Sequence, residues 1–321
     1  MPAVIEVEQL RKTYGTFEAV RDVSFTVQQG EIFGILGPNG AGKTTTVECI
    51  QGLRQPSGGS IRVLGLDPIR QRSQLKRRIG SQLQESALPD RIKVWEALDL
   101  FASLEPDGPD WRRLLDQWGL IDKAKTSFSG LSGGQQQRLF VALALINNPE
   151  VVFLDELTQG LDPSARRVAW DLIRAIRERG STVVVVTHYM DEAEQLCDRL
   201  AVIDGGRVIA TGTPQELIAS SPRGLRIRFS TIDPDLSWLE RVDGVTGITR
   251  RGDLAEVSGT GPVLALTAAA LVAHGIVPAD LRAVQPSLED VYLDLIGDIK
   301  TRPTEPTQTT EQNGATHADV R

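Results

Sequence analysis

The stretch that most restricts this chain is EIFGILGPNGAGKTT, residues 31–45. Its first six residues, EIFGIL, read as a largely buried strand, and a helical pattern begins at about Gly42. Between them, Gly37-Pro38-Asn39-Gly40-Ala41-Gly42-Lys43-Thr44, extended by Thr45, has the spacing G-x-x-x-x-G-K-[ST] in the strand-to-helix context that this motif requires. Its glycines let the backbone turn tightly, so that consecutive N–H groups converge on phosphate oxygens at the positive end of the following helix. Lys43 is then expected to reach the β- and γ-phosphates of a nucleotide, and the Thr44 hydroxyl to ligate Mg²⁺.

A magnesium nucleotide needs a carboxylate as well, and VVFLDE at 151–156 supplies one. After four apolar residues, Asp155 and Glu156 emerge at the carboxyl end of a strand, where open α/β sheets bind ligands. Asp155 is expected to hold Mg²⁺ through water, and Glu156 to polarise an attacking water. TVVVVT at 182–187 is a second run of the kind buried on both faces of a parallel sheet. VIEVEQL and DVSFTV alternate and predict half-exposed strands, an antiparallel fringe at the start of an α/β domain. AVIDGGRVIA reads as a hairpin turned at Gly205 and Gly206, TPQELIAS as a short capped helix, and SSPRG as a boundary near Ser220.

Beyond that boundary the pattern predicts a strand at 225–230, a hairpin between Gly244 and Ser258, a helix from Pro262 to His274, and a strand leading into PSLEDVYLDLIG. This set suits a small α+β domain of the ferredoxin-like split βαβ kind. The expected organisation is a cassette over 1–220, a small domain over 221–300, and a polar tail over 301–321 that has no core to offset the entropy of ordering.

Composition narrows the partners. The 321 residues carry a formal net charge of −7, which gives no global reason to expect nucleic acid, whose phosphates are met by clustered cations. The two cysteines, Cys49 and Cys197, are isolated and suggest neither a zinc site nor a disulfide framework. The N-terminus has no signal-peptide pattern, and the longest apolar runs fall short of the roughly 20 residues that span a bilayer. If the protein acts at a membrane, another chain is expected to cross it.

One element remains. LSGGQQQR, 131–138, is a second small-residue loop far from the first. With this piece the chain resembles the ATP-binding cassette (ABC) family over about Val4 to Leu217, and its motifs occur in family order. The resemblance implies a P-loop fold with a RecA-like parallel core, an antiparallel β subdomain and a helical subdomain. It also implies roles: Tyr14 stacking on adenine, Gln84 sensing Mg²⁺ and the γ-phosphate with Gln82 as the competing position, Asp162 in the D-loop, and His188 as the switch histidine. Leu157 departs from the family pattern, which commonly has proline there, as do Leu83 and the glutamines after LSGGQ, where many relatives are basic.

In the family fold the signature loop opens a helix away from the chain's own phosphate loop. The resemblance therefore implies a two-fold dimer in which Ser132 and Gly134 of one copy cap the ATP on Lys43 of the other. PSLEDVYLDLI and the small domain resemble the C-terminal extension of daunorubicin-type exporter subunits, which pair with a separate polytopic ABC-2 type permease. The implied function is ATP hydrolysis that powers export from the cytoplasmic face of the membrane. The rivals are a regulatory or translation-associated ABC ATPase, another P-loop enzyme such as a kinase, and a nucleotide sensor without turnover.

Overall fold

The computed structural model describes residues 2–82, 87–104, 110–220 and 224–301, with side chains as far as Leu295 in the terminal helix. Gln84, the boundary residues 221–223 and the expected tail beyond Thr301 lie outside the described residues.

Nine strands form one sheet. The chain begins with the long hairpin β1 (Ala3–Tyr14) and β2 (Phe17–Gln28), then enters β3 (Ile32–Leu36) and helix α1 (Lys43–Ile50). It continues through β4 (Gly58–Val63), α2 (Arg72–Lys76), β5 (Ile79–Gln82), α3 (Val94–Ser103), α4 (Trp111–Gln117) and α5 (Gly133–Ala144). Then follow β6 (Val151–Asp155), α6 (Pro163–Glu178), β7 (Thr182–Thr187), α7 (Met190–Leu196), the hairpin β8 (Arg199–Asp204) and β9 (Arg207–Gly212), and α8 (Pro214–Ala219).

The strand order is β4-β1-β2-β9-β8-β3-β7-β6-β5. The run from β8 through β3, β7 and β6 to β5 is parallel, whereas β1 pairs antiparallel with both β2 and β4.

Strand character follows from what each face must bury. Every residue of β3, β6 and β7 is buried, as continuous apolar runs without alternation require. Along β7 the side chains divide: Val183 and Val185 join Leu98, Leu139 and Ile173 of the helical layer, while Val184 and Val186 join Val47 and Ile50 of α1 and the β1–β2 strands. Period two sends neighbours to opposite faces, so one strand closes two cores. Helix α6 starts where Asp162 Oδ1 accepts from Ser164 N (2.8 Å) and Ala165 N (3.0 Å), with proline at its first position.

The C-terminal sheet comprises β10 (Leu225–Ser230), β11 (Val245–Arg251), β12 (Leu254–Gly259) and, after helix α9 (Val263–Ala273), β13 (Arg282–Val284). Its order is β11-β12-β10-β13, with each neighbouring pair antiparallel. This is the split βαβ order, with a 3₁₀ segment (Ser237–Arg241) where the first helix would stand. Asp233 and Asp235 accept bonds from backbone N–H groups two residues on, which competes with a longer helix there. Terminal helix α10 (Leu288–Thr301) belongs to neither strand layer. Leu288 and Val291 are buried among cassette residues that include Leu196 and Leu217, while Asp290 pairs with Arg226 of β10 at 2.6 Å. The segment expected within the small domain thus fastens that domain to the cassette.

Candidate functional site

The phosphate loop closes between β3 and α1 under tight steric limits. A Cβ on Gly37 would stand 2.1 Å from Ile203 O, and one on Gly42, whose φ is 99°, would stand 2.4 Å from Ala19 O. Only glycine fits either place. Lys43 is 5 % exposed, and its Nζ donates to Gly37 O (2.8 Å) and Pro38 O (3.0 Å), so the ammonium lies folded over its own loop. Burial lowers its pKa, while Glu156 and Asp155 act to raise it.

A cavity of about 370 Å³ opens over the loop, lined by Asn39, Gly40, Gly42, Lys43, Thr44, Thr45 and Glu156. Tyr14, Phe17 and Ala19 also line it. Phe17, 63 % exposed, was missed by sequence reasoning, which ended the first strand before Tyr14. In the structure Tyr14 and Phe17 are register partners across the β1–β2 turn, so both aromatics reach the cavity. The available signal was the YGTF spacing, two aromatics flanking a glycine-containing turn.

Thr44 and Asp155, 111 residues apart, meet at the loop: Thr44 Oγ1 donates to Asp155 Oδ2 at 3.2 Å. Burial raises the Asp155 carboxyl to about 6, against the hydrogen bond from Thr44 and the charge of Lys43. Its second oxygen, Oδ1, is buried without a hydrogen-bond partner. A hydroxyl beside a carboxylate with an unmet oxygen is a hard-oxygen set that suits Mg²⁺. Among the described residues no group of three or more His, Cys, Asp or Glu could hold a metal. An ion here would draw most of its ligands from phosphate and water, as Mg²⁺ commonly does.

Glu156 has φ 51°, an uncommon conformation for a residue with a side chain, and its N–H donates to Val186 O at 2.9 Å. That bond ties the end of β6 to the end of β7, where His188 follows. His188 Nδ1 and Glu156 Oε1 are hydrogen-bonded at 2.9 Å. Leu157, where the resemblance leads one to expect proline, is 2 % exposed and packs in the helical-layer core, so the loop after Glu156 is anchored by burial.

The signature segment is built differently. Ser132 is the N-cap of α5 and is exposed. Each of the three glutamines after it holds a backbone atom: Gln135 Oε1 accepts from Ser132 N (3.0 Å), Gln136 Nε2 donates to Phe128 O (3.2 Å), and Gln137 Nε2 donates to Leu157 O. The glutamine run is therefore a set of local ties, the last of which reaches the residue after Glu156. Gly133 and Gly134 have no positive φ, and a Cβ on either would meet nothing within 4 Å. The cavity lining includes neither Ser132 nor Gly134. Exposed Asp162 caps α6 and is likewise absent from that lining.

The chain's similarities agree with this site. A family model described as ABC transporter matches residues 20–159. The chain is 38% identical over 304 residues to the daunorubicin resistance ATP-binding protein DrrA3 of Streptomyces coeruleorubidus, covering 92% of this chain and 96% of that one. It is 38% identical over 315 residues to the Nod factor export ATP-binding protein I of Cupriavidus pinatubonensis, covering 92% of each. Among solved structures, cbiO1 from Clostridium perfringens, part of the ABC transporter complex cbiONQ, matches with TM-score 0.62 and 28% identity over 68% of this chain and 92% of that one. The dimeric structure of MJ0796, a bacterial ABC transporter cassette, matches with TM-score 0.58 and 28% identity over 65% of this chain and 98% of that one.

The chain belongs to the ABC transporter family, as an ATP-binding subunit of the exporter type. It is an ATPase whose hydrolysis powers transport.

Proposed function

We propose that this subunit hydrolyses MgATP at the Lys43 loop within a dimer of two copies, and that the cycle drives a separate polytopic permease from the cytoplasmic face of the membrane. Among the described residues no helix is long and apolar enough to cross a membrane, which supports a partner that does the crossing. The relatives named for daunorubicin resistance and Nod factor export support an amphipathic drug or lipid-like molecule as cargo.

Within the site, the loop N–H groups from Asn39 to Thr45 and the Lys43 ammonium bind the phosphates, and Tyr14 stacks on the base. Thr44 and Asp155, with Gln84 from outside the described residues, are the residues to hold Mg²⁺. When bound, that ion neutralises charge developing on the β- and γ-phosphates. On binding, Lys43 exchanges the carbonyls of Gly37 and Pro38 for phosphate oxygens. Glu156 orients water as general base, and His188, held through Nδ1, presents its other nitrogen to the γ-phosphate.

One observation carries the dimer: the chain completes one half of a phosphate site, while Gly133 and Gly134 keep open space that its own fold does not need. Ser132 and Gly134 of one copy cap the nucleotide of the other, with Asp162 at the same interface. ATP then favours the closed state by its extra contacts there. Glu156→Gln is expected to bind MgATP, lose turnover and elute as a dimer on size exclusion. A nucleotide-loaded monomer would refute the sandwich. Co-purification with a polytopic membrane protein tests the permease, and its absence from membranes that retain this subunit would favour a non-transport ATPase.

A further inference from the structure

The helix that follows His188 carries a carboxyl that neither the fold nor the phosphate site explains. Glu192 on α7 is 1 % exposed, between the apolar interior and three polar groups from different elements. Trp170 Nε1 of α6 donates to its Oε1 at 3.2 Å. The hydroxyls of Thr187 and Thr158 face the same carboxyl, and Arg166 of α6 contributes positive charge. These threonines are placed with consequence. Thr187 immediately precedes His188, and Thr158 comes two residues after Glu156. Thr187 Oγ1 also accepts from Tyr189 N at 3.0 Å, fixing the turn on the far side of His188.

Removing a carboxyl from water is costly unless polar partners replace the solvent, and α7 buries only Ala193 and Leu196 besides Glu192. An apolar residue would fill this place more cheaply. Burial also pushes the Glu192 pKa up, with the threonine and tryptophan partners pulling it down. Two polar atoms on this line, Glu192 Oε2 and Thr158 Oγ1, are buried without a partner at hydrogen-bond distance.

We propose that Glu192 is a positioning residue for hydrolysis: it ties the loop carrying Glu156 to the turn carrying His188, and so holds those two side chains in contact. This inference rests on the assignment of Glu156 and His188 to catalysis.

The test uses the full chain and compares Glu192→Leu, Glu192→Gln and Thr158→Val for kcat and for binding of a fluorescent MgATP analogue. Glu192→Leu and Thr158→Val are expected to lower kcat about tenfold or more with Kd within about twofold. Glu192→Gln, which keeps the shape and an acceptor, should retain turnover within about threefold. In a His188→Ala background, Glu192→Leu should cost less than about a further twofold under single-turnover conditions, because the contact it protects is already gone. Equal losses in both backgrounds, or unchanged kcat in folded Glu192→Leu, would overturn the brace. Should Glu192→Leu fail to fold, Thr158→Val carries the test in the same backgrounds, and its normal kcat is then the overturning result. If His188→Ala and Glu156→Gln themselves turn over normally, it is the site assignment that falls.

Discussion

The two glycine loops of this protein need glycine for different reasons. At Gly37 and Gly42 the fold itself forbids a side chain, because backbone oxygens of Ile203 and Ala19 stand where a Cβ would lie. At Gly133 and Gly134 the backbone is ordinary and the surroundings are open. The phosphate loop is glycine-rich so that the chain can pack on itself, whereas the signature loop stays small for something the chain does not contain. Burial tells the same story: Lys43 lies folded over its own loop, while Ser132 faces solvent.

The largest effect that could break this comparison is Lys43→Ala, which should reduce MgATP binding and hydrolysis by about 100-fold or more, since among the described residues it removes the only side-chain cation in the cavity lining. Normal turnover in that variant would mean that the phosphate site has been misplaced.

The sharper contrast pairs one glycine from each loop. Gly42→Ala forces a side chain into a left-handed, crowded position and should lower thermal stability and nucleotide affinity together. Gly134→Ala adds a better helix former in open space, so the isolated subunit should gain about 0.5–1 kcal/mol. Its melting temperature should rise by roughly 2 °C while turnover falls about tenfold. Calorimetry beside an ATPase assay reads both, and a Gly134→Ala protein with full turnover would remove the case for an external occupant.

The smallest effect concerns Asp155. Its carboxyl is held at about 6 in the folded chain against 3.8 for the free group, so the folded state takes up a proton that the unfolded chain releases. Stability from that uptake is present in full below about pH 4 and is lost as pH rises through about 6. Asp155→Asn should therefore melt higher than the parent by about 2 °C at pH 7.5 without nucleotide, and the gap should narrow as pH falls and close below about pH 4. Mg²⁺ dependence of nucleotide binding should weaken in the parent as pH falls below 6. A gap independent of pH would show that the Asp155 carboxyl is ionised in the folded chain without cost.

How much of this could be read beforehand follows from distance along the chain. The phosphate loop, the buried strands at 151–155 and 182–187, and the strands and helix of the C-terminal domain arise from local spacing and patterning, and the structure has them; the order in which those C-terminal strands pair is set by the sheet as a whole. Gln84 lies outside the described residues. Phe17 went unread because its importance depends on a cross-strand partner. The glutamines of the signature helix looked like a departure from pattern, yet each bonds a backbone atom nearby or, for Gln137, at Leu157. Helix α10 has an ordinary amphipathic sequence, and no periodicity could say that Leu288 and Val291 would be buried against α7 and α8.

By itself the amino-acid order determined that this chain grips phosphate, because a strand, a turn of glycines and a helix start are contiguous and their geometry is set by neighbours. Only the tertiary structure decided that Thr44 meets Asp155, that Glu156 meets His188, and that Glu192 sits beneath them. Those pairs come from strands brought side by side by burial of their faces, and the closing of a sheet is an energy of the whole core rather than of any one segment.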